Sequence, residues 1–419
     1  MGQKQSARGL ENTQLKEAII AFRGAEPTLP HFVAFGAPAL DEDEIAEVVQ
    51  TLRSGWIGTG PRTQQFEREF REYVGAQYAI AVNSCTAALH LSLLASDIGN
   101  SDEVITTPMT FCATANVILH AGATPIFADI DRRTLNIDPD QIRHRITERT
   151  AAIIPVHFGG LPCDMKTIST IAQRHQLAII EDAAHAVGSR YDGRMIGGSG
   201  NAVCFSFYAN KNLTTAEGGM VTTNDEVLAA KIEVYRLHGL SRDAWKRYQT
   251  KELILSEAIF PGFKANMTDI QASLGIHQLR KLEGFLKVRE VYAAAYDDAF
   301  RNRDDIILQP RPTDVTVNRH GLHLYVIMLD LDKLTVGRNE LVRALRAENV
   351  GAGIHYSALH LHPYYRETFG YRPGDFPNAE WVSERILSLP LTPGMTWEDV
   401  DGVIRAVTKV LNYYRRPTF

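Results

Sequence analysis

One lysine of this chain stands where a charged side chain is unusual. Lys211 follows the apolar segment 202–207 and precedes the pair Gly218 and Gly219. Most lysines are solvated on the surface, but a lysine at the end of a buried strand loses water, which lowers the pKa of its amine. Because a neutral amine attacks carbonyl carbons, Lys211 is a candidate for forming an imine with a carbonyl compound.

A carboxylate lies at the end of a second apolar segment. Residues 178–180 lead into Glu181 and Asp182, and His185 follows three positions later. Pyridoxal phosphate chemistry needs both a Schiff-base lysine and an acid that pairs with the protonated pyridine nitrogen. For Asp182 alone, capping of the following helix would be the better interpretation. Together with Lys211 it favours the cofactor role, whereas His185 fits a ring neighbour and a core histidine equally well.

A phosphate group needs backbone N–H donors at the start of a helix. Residues 83–90 change from a predicted strand to a predicted helix through small hydroxyl side chains. Ser84 or Thr86 could also form an ordinary N-cap, and the two interpretations are compatible because both use the same N–H groups. Ser206, five residues before Lys211, offers a hydroxyl to the same phosphate.

Two further features admit a functional and a packing interpretation. Phe111 lies at the next strand-to-helix junction, where its ring could stack on a planar cofactor, although core packing is favoured on the sequence alone. His355, His360 and His362 show no spacing typical of zinc sites, and no acid or cysteine accompanies them. We therefore expect substrate or interface contacts at these histidines and no bound metal.

Composition and charge restrict the class of protein. The 419 residues, 45% of them apolar, suffice for a large domain and a smaller one. A net charge of −5 with acids and bases interspersed offers no basic surface to nucleic acid. No apolar run reaches the ~18 to 20 residues of a membrane span. The 4 cysteines lack zinc or disulfide spacing, so we expect a reducing cytoplasm.

Apolar segments alternate with amphipathic ones over most of the chain. Strands are predicted at 78–82, 103–106, 125–129, 152–156, 177–180, 202–207 and 219–222. Helices are predicted at 40–52, 86–95, 110–120, 164–175 and 225–236. Such alternation predicts an α/β fold, with a sheet that is covered by helices on both faces.

The C-terminal part of the sequence predicts a smaller α+β domain. A long helix begins near Asp269, and a strand at 322–329 and helices at 338–348 and 397–411 follow. We expect three sections. They are a flexible N-terminal extension over residues 1–31, a large domain over 32–275 and a small domain over 276–419.

Five segments together resemble the DegT/StrS-type sugar-nucleotide aminotransferases, a family of pyridoxal phosphate enzymes of fold type I. The segments are 54–61, 84–89, 181–186, 206–219 and 266–272. The resemblance spans residues 32–412. It implies a large domain with a mainly parallel seven-stranded sheet flanked by helices, and a smaller α+β domain at the C-terminus.

The resemblance implies a role for each matching position. Lys211 would be the Schiff-base lysine, and Asp182 would pair with the pyridinium nitrogen. The other cofactor contacts would be Ser206, Cys85 and Thr86 at the phosphate, Phe111 and His185 at the ring, and Asn266 reaching the phosphate of the partner subunit. Asn266 thereby implies a homodimer with shared active sites. Cys85 stands where the family more often has glycine, a change that keeps the backbone N–H.

The resemblance also implies a reaction. The retained lysine favours transamination, because similar enzymes that dehydrate or deoxygenate sugars carry histidine in its place. The motifs look most like those of members that act at sugar C4, the enzymes that form UDP-4-amino-4-deoxy-L-arabinose among them. The expected activity is transfer of the amino group of L-glutamate to a nucleotide-linked 4-keto sugar. Thr59, Tyr208 and His355 are candidate substrate contacts.

Two alternatives stay open at this point. The amino acceptor could be a different ketone, such as a 3-keto sugar nucleotide or a cyclitol ketone. The chain could also be a non-catalytic pyridoxal phosphate-binding regulatory protein. The intact set of Lys211, Asp182 and Ser206 disfavours this second alternative.

Overall fold

The computed structural model describes residues 20–240 and 257–417, and the strands found there form three sheets. The strands are β1 (Tyr78–Val82), β2 (Glu103–Thr106), β3 (Thr124–Phe127), β4 (Thr150–Ile153), β5 (Ala178–Asp182), β6 (Arg190–Tyr191), β7 (Arg194–Met195), β8 (Ala202–Ser206), β9 (Gly219–Thr223), β10 (Ile306–Leu308), β11 (Tyr325–Leu329) and β12 (Ile386–Leu389). The α-helices are α1 (Glu42–Ser54), α2 (Pro61–Val74), α3 (Cys85–Ala95), α4 (Cys112–His120), α5 (Pro139–Arg145), α6 (Met165–His175), α7 (Glu226–Tyr235), α8 (Asp269–Phe300), α9 (Arg338–Ala347), α10 (Pro363–Phe369), α11 (Pro377–Arg385) and α12 (Trp397–Tyr414).

The largest sheet has seven strands in the order β1-β9-β8-β5-β4-β2-β3. Strand β9 runs antiparallel to β1 and β8, and the other neighbours pair in parallel. Along β1, Ile80 and Val82 lie in one apolar core and Ala81 lies in another. Because side chains alternate between the faces of a strand, apolar layers cover both faces of this sheet. The predicted α/β fold with a mainly parallel seven-stranded sheet is confirmed.

Most predicted strands lie within a few residues of the observed ones. The strands at 78–82 and 103–106 agree at both ends. Strand β4 ends at Ile153, three residues before the predicted end. Pro155 lies in the part that is lost, and a proline has no N–H to donate to a central ladder.

The sheet brings two candidate residues to one edge. Strands β5 and β8 are parallel neighbours, with Asp182 opposite Cys204. Ser206 ends β8, and Lys211 follows in the next loop. Parallel strands have their carboxyl ends on the same side of the sheet. Asp182 and Lys211 therefore lie at the carboxyl ends of the strands, where open α/β sheets bind ligands.

The small domain contains residues from both ends of the described chain. Its antiparallel sheet has the order β10-β11-β12. Ile20 and Leu29 share one apolar core with this sheet and with α9 and α12. Residues 20–31, which we expected to be part of a flexible extension, therefore pack against the small domain. The rest of that predicted extension lies outside the described residues.

A buried carboxylate fixes the N-terminal residues in this position. Glu348 is fully buried and accepts hydrogen bonds from the backbone N–H groups of Ala21 and Thr28, each at 2.7 Å. The Thr28 hydroxyl and the Lys409 ammonium also donate to Glu348, at 2.7 and 3.1 Å. The desolvated carboxylate is thus fully compensated by donors.

Helix α8 belongs to both domains. It spans 32 residues and begins with a capping box formed by Thr268 and Gln271. Ile276 and Leu279 lie in a core of the large domain, whereas Tyr296 lies in the core of the small domain. The predicted domain division after residue 275 falls inside this helix and stays a prediction.

Candidate active site

Lys211 lies in the loop after β8, with its amine in a largely buried environment. Its backbone N–H donates to the carbonyl of Tyr208 at 3.0 Å. Its Nζ lies 3.4 Å from Nε2 of His323. Burial lowers the pKa of the Lys211 amine to about 8, and the nearby Cys85 and Asp182 offset that shift only in part. A substantial fraction of the amine is therefore neutral near physiological pH, as the sequence predicted.

Asp182 is a buried carboxylate with two donors. The hydroxyl of Thr114 donates to Oδ2 at 2.8 Å, and the backbone N–H of Ala184 donates to Oδ1 at 3.1 Å. Burial raises the pKa of Asp182, and both hydrogen bonds oppose that rise. A cation placed against this carboxylate would favour its charged form. The carboxylate is thus a suitable partner for a protonated ring nitrogen.

His185 lies beside Lys211 as a neutral imidazole. Its Nδ1 accepts from the backbone N–H of Gly159 at 3.3 Å, and its Nε2 lies 3.1 Å from the hydroxyl of Tyr356. The proton must then be on Nε2, which donates to Tyr356. Burial and the nearby charge of Lys211 hold the pKa of His185 well below its usual range. His185 is thus a buried histidine that also lies beside Lys211, so its interpretations as a core residue and as a neighbour of the ring do not exclude each other.

The N-terminus of α3 is free to bind an anion. Ser84 is the N-cap residue, and its hydroxyl accepts from the N–H of Ala87 at 3.1 Å. The N–H groups of Cys85 and Thr86 occupy the first two helical positions, which have no partner within a helix. The thiol of Cys85 points inward, 3.4 Å from the carbonyl of Cys204. Cys85 therefore offers its backbone N–H and not its side chain.

Gly219 allows β9 to approach the start of α3. A Cβ at this position would lie 2.5 Å from the carbonyl carbon of Ser84 and 2.7 Å from the nitrogen of Cys85. Any other residue would push β9 away from the helix. Ser206 is paired directly with Gly219. Its hydroxyl, at the end of β8, thereby lies on the same side as the α3 N-terminus.

Phe111 is exposed at the N-cap position of α4. Its side chain is 59% exposed, and its ring centroid lies 6.3 Å from that of Tyr356. The expectation of core packing is therefore wrong, because more than half of Phe111 is exposed. An uncovered aromatic ring next to a site is suited to stacking on a flat ligand.

Thr59 and Asn266 form a separate pair. Asn266 Nδ2 donates to the Thr59 hydroxyl, which donates to the backbone carbonyl of Met267. The pair lies beside the end of β1, where Asn266 bridges to Val82. Asn266 Oδ1 is buried and has no hydrogen-bond partner among the described residues. These bonds join Thr59 to Asn266 and not to the side chains around Lys211.

The other two substrate candidates lie nearer to Lys211. Tyr208 is about half exposed in the loop that carries the lysine. His355 stacks on Phe35 with the ring centroids 4.8 Å apart, and its Nδ1 lies 2.9 Å from the hydroxyl of Ser388. Burial, and secondly the charge of Lys211, lower the pKa of His355 to about 4.

The structure adds three residues that sequence reasoning missed. They are His323 beside the Lys211 amine, Tyr356 beside His185, and Thr114 beside Asp182. A weak signal for His323 existed, since it stands in the predicted strand 322–329 among apolar residues. A histidine within a buried strand pattern calls for a polar partner.

The described residues offer neither a metal site nor a membrane span. Residues 20–240 and 257–417 hold no group of three or more His, Cys, Asp or Glu side chains arranged to bind a metal ion. In the same ranges, each helix is too short or too polar to cross a membrane.

A lysine amine of lowered pKa and a buried carboxylate, at adjoining strand ends of this sheet, define a pyridoxal phosphate enzyme of fold type I. Sequence comparison gives the family. The chain belongs to the DegT/DnrJ/EryC1/StrS aminotransferase family, whose model matches residues 38–408. The protein is thus a pyridoxal phosphate-dependent aminotransferase.

Individual relatives match over nearly the whole chain. MJ1066 of Methanocaldococcus jannaschii is 52% identical over 390 residues, which cover 93% of this chain and 99% of the relative. The spore coat polysaccharide biosynthesis protein SpsC of Bacillus subtilis is 52% identical over 382 residues, 91% of this chain and 97% of SpsC. The pyridoxal phosphate form of Spr1654 from Streptococcus pneumoniae, for which a sugar aminotransferase function is proposed, has a TM-score of 0.84. It is 33% identical, and the match covers 91% of this chain and 99% of Spr1654.

The observed site fits the cofactor of this family. Asp182 is buried and forms no ion pair among the described residues, so a cation can be accommodated beside it. The N–H groups of Cys85 and Thr86 at the start of α3 have no partner within the helix and suit a phosphate. Phe111 presents an uncovered ring at the same edge of the sheet.

Proposed function

We propose that this aminotransferase transfers the amino group of L-glutamate to the C4 ketone of a nucleotide-linked sugar. The observation that carries the proposal is the Lys211 amine, largely buried, of lowered pKa and close to the carboxylate of Asp182. The polysaccharide role in the name of SpsC and the sugar substrate proposed for Spr1654 support a sugar acceptor. The choice of C4 rests on the resemblance of the motifs.

In the proposed mechanism, Lys211 acts twice. Its neutral amine would hold the cofactor until an amino donor replaces it. The freed Nζ would then take the proton from Cα of the donor and pass it on as a general acid. Pyridoxal phosphate, when bound, supplies the electron sink for the pair left on Cα. The same steps in reverse place the amino group on the sugar.

The remaining cofactor contacts hold and orient the ring. Asp182 pairs with the ring nitrogen, and its bond from Thr114 fixes the direction of the carboxylate. The N–H groups of Cys85 and Thr86 and the hydroxyl of Ser206 bind the phosphate. In this proposal two further side chains contact the ring, Phe111 by stacking and His185 from the neighbouring strand end.

We further propose a homodimer with shared active sites, in which Asn266 reaches the phosphate bound by the partner subunit. This arrangement rests on the resemblance of the segment 266–272 to the family's motif. Ile45, Leu52 and Ile57 are each about half exposed on α1 and the following loop. These apolar side chains suit a protein interface. Thr59, next to Asn266, would then contact the substrate in the partner's site, and Tyr208 and His355 would contact it from the same chain.

The test uses purified protein loaded with pyridoxal phosphate. L-Glutamate is added first, and the visible absorption band of the lysine-linked cofactor is expected to convert to that of the amine form. A 4-keto nucleotide sugar is added next and is expected to restore the first band. Matched 3-keto nucleotide sugars and cyclitol ketones serve as competing acceptors.

Each outcome decides one part of the proposal. Faster recovery with a 3-keto sugar or a cyclitol ketone would contradict the C4 assignment. A spectrum that responds to another amino acid but not to glutamate would contradict the donor. A stable cofactor band that no amino donor and no ketone alters would indicate a regulatory protein that binds the cofactor without turnover.

A further inference from the structure

We infer that His323 is a positioning residue for Lys211: it accepts a hydrogen bond from the amine and thereby fixes the direction in which the free amine points. This inference rests on the proposed role of Lys211. His323 lies within the small-domain part of the chain, 112 positions after Lys211. Its approach to the amine is therefore a product of tertiary structure.

The protonated form of Lys211 permits one direction for this hydrogen bond. A lysine ammonium carries only donors, so in that form Nε2 of His323, at 3.4 Å, is the acceptor. The ring proton then lies on Nδ1, which is buried and has no partner among the described residues. A buried unsatisfied donor costs stability. The fold tolerates that cost in a place where the other ring nitrogen contacts a reactive amine.

The loop before His323 is strained and firmly held. Leu322 has a φ of +50°, in the left-handed region that β-carbon-bearing residues rarely adopt. The Leu322 carbonyl accepts from the guanidinium of Arg289 at 3.2 Å, and the Leu322 N–H donates to Nδ1 of His320 at 2.9 Å. Asn212, next to Lys211 in sequence, donates to the carbonyl of Gly321 at 2.6 Å. One long-range bond to Leu322 and one to Gly321, together with the local bond to His320, thus fix the two residues that precede His323.

Arg289 contributes to this loop as a buried cation. It is 2% exposed and donates to two backbone carbonyls, those of Leu322 and Leu391. Its charge, together with that of Lys211, helps to hold the pKa of His323 well below its usual range, after burial as the largest cause. A neutral His323 keeps its Nε2 lone pair available to the lysine at physiological pH.

Several ionisable groups surround the pair formed by Lys211 and His323. Lys211 is faced by Cys85, Asp182, His185, His323 and His355. His323 is faced by Lys211, His185, Arg289 and His355. Among these, His323 makes the hydrogen bond to Nζ. Replacing His323 should therefore affect Lys211 in a way that replacing a distant histidine does not.

The test compares His323→Leu, His323→Asn and His323→Gln with the wild type. Leu has no acceptor and the Asn amide is too short to reach Nζ, whereas the Gln amide oxygen can take the place of Nε2. The matched control is His360→Leu. The sequence left His360 as a possible substrate or interface contact, but the structure buries it against Phe376, with one ring nitrogen 3.0 Å from Glu380 and the other without a partner among the described residues. It is not among the groups that act on Lys211.

The first measurement follows the amine itself. The full-length chain is freed of cofactor, labelled with a small amine-specific reagent across a pH series, and the Lys211 peptide is quantified by mass spectrometry. An acceptor stabilises the charged amine, so its loss in His323→Leu and His323→Asn should move the labelling midpoint to lower pH. His323→Gln and His360→Leu should keep the wild-type midpoint.

The second measurement follows the reaction. In the holoenzyme, His323→Leu and His323→Asn should slow the half-reaction with L-glutamate about tenfold, the worth of one hydrogen bond. Deuterium at Cα of glutamate should then slow the reaction further, because proton transfer becomes limiting. His323→Gln should recover most of the rate.

The inference is overturned if His323→Gln behaves like His323→Asn in both measurements. It is also overturned if neither His323→Leu nor His323→Asn moves the labelling midpoint. If His323→Leu does not fold, the Asn and Gln variants still decide. Failure of the wild type to react with glutamate would contradict the proposed donor alone, because the labelling comparison needs no donor.

Discussion

The Lys211 region and the Thr59–Asn266 pair are both built from polar side chains, but only the first contains ionisable groups. Around Lys211, the carboxylate of Asp182 and the ring of His185 have donors or acceptors within the described residues. Asn266, in contrast, buries an amide oxygen that has no hydrogen-bond partner among the described residues. The difference is one of chemistry, because the first region holds ionisable side chains that can bind and release a proton, whereas the second holds only a hydroxyl and an amide.

The two regions also differ in how they are held. Lys211 and Asp182 lie at the ends of neighbouring strands, so the sheet itself sets their separation. Thr59 and Asn266 lie in two different loops, and the carboxylate of Asp269 anchors the loop that contains Thr59. It accepts from the N–H groups of Gly60 (2.8 Å) and Arg62 (3.0 Å) at the start of α2. One region depends on a sheet and the other on a single buried acid.

The largest effect is expected from Lys211→Ala. Without the amine, neither covalent attachment nor proton transfer at Cα can occur, so turnover should fall at least about 10³-fold. Steady-state transamination measures this loss, and the exposed Lys333→Ala is the control that should retain activity. A Lys211→Ala protein that turned over at the wild-type rate would show that the first region is not the reactive one.

The second prediction grades the contacts of Asp182. Asp182→Asn removes the charge opposite the ring nitrogen and should slow the glutamate half-reaction about 10²-fold. Thr114→Val removes one donor to the carboxylate and should slow it about tenfold or less. Stopped-flow absorption measures both rates. Equal effects of the two substitutions would mean that the hydrogen bond, rather than the charge, is what matters.

The third prediction tests whether the second region acts on the partner. Lys211→Ala and Asn266→Ala proteins should each be impaired alone. Unfolding and refolding them together should restore activity, because each mixed dimer would contain one site with an intact Lys211 and an intact Asn266. Activity of the mixture is compared with that of each protein refolded alone. Absence of recovery, with mixed dimers shown to form by mass, would place Asn266 in the site of its own chain.

The last prediction concerns the free energy of unfolding and the residue that anchors the second region, Asp269. Asp269 is 1% exposed and also accepts from the N–H and hydroxyl of Thr63. Asp269→Ala should lower the free energy of unfolding by about 3 kcal/mol, since several buried donors lose their acceptor. Asp225→Ala, which removes an exposed N-cap from α7, should cost about 1 kcal/mol. Urea unfolding of both variants gives the comparison, and similar losses would show that Asp269 is an ordinary cap.

The sequence was sufficient for the parts of the site that strands position. Asp182 and Lys211 follow continuous apolar segments, and the alternation of elements implied that those segments share one sheet. The site's other half depended on tertiary contacts. His323 follows Leu322, which adopts a left-handed conformation, and no local preference of leucine predicts that geometry.

Two other features escaped sequence reasoning for different reasons. Phe111 was expected in the core because most large apolar side chains are buried. The residue type alone does not distinguish a phenylalanine of the core from one that lies exposed beside a site. The bond between Asn266 and Thr59 joins residues 207 positions apart. A pattern of neighbours in sequence carries no information on such a contact.

The carboxylate of Glu348 binds residues near the beginning of the described chain, which are synthesised long before Glu348 itself. Its partners Ala21 and Thr28 precede it by 327 and 320 positions. During synthesis from the N-terminus, these residues leave the ribosome long before Glu348 exists. The small domain therefore cannot assemble alongside the growing chain, as a domain of consecutive residues could. It can be completed only after Glu348 has been synthesised, when the segment that contains Ala21 and Thr28 packs against it.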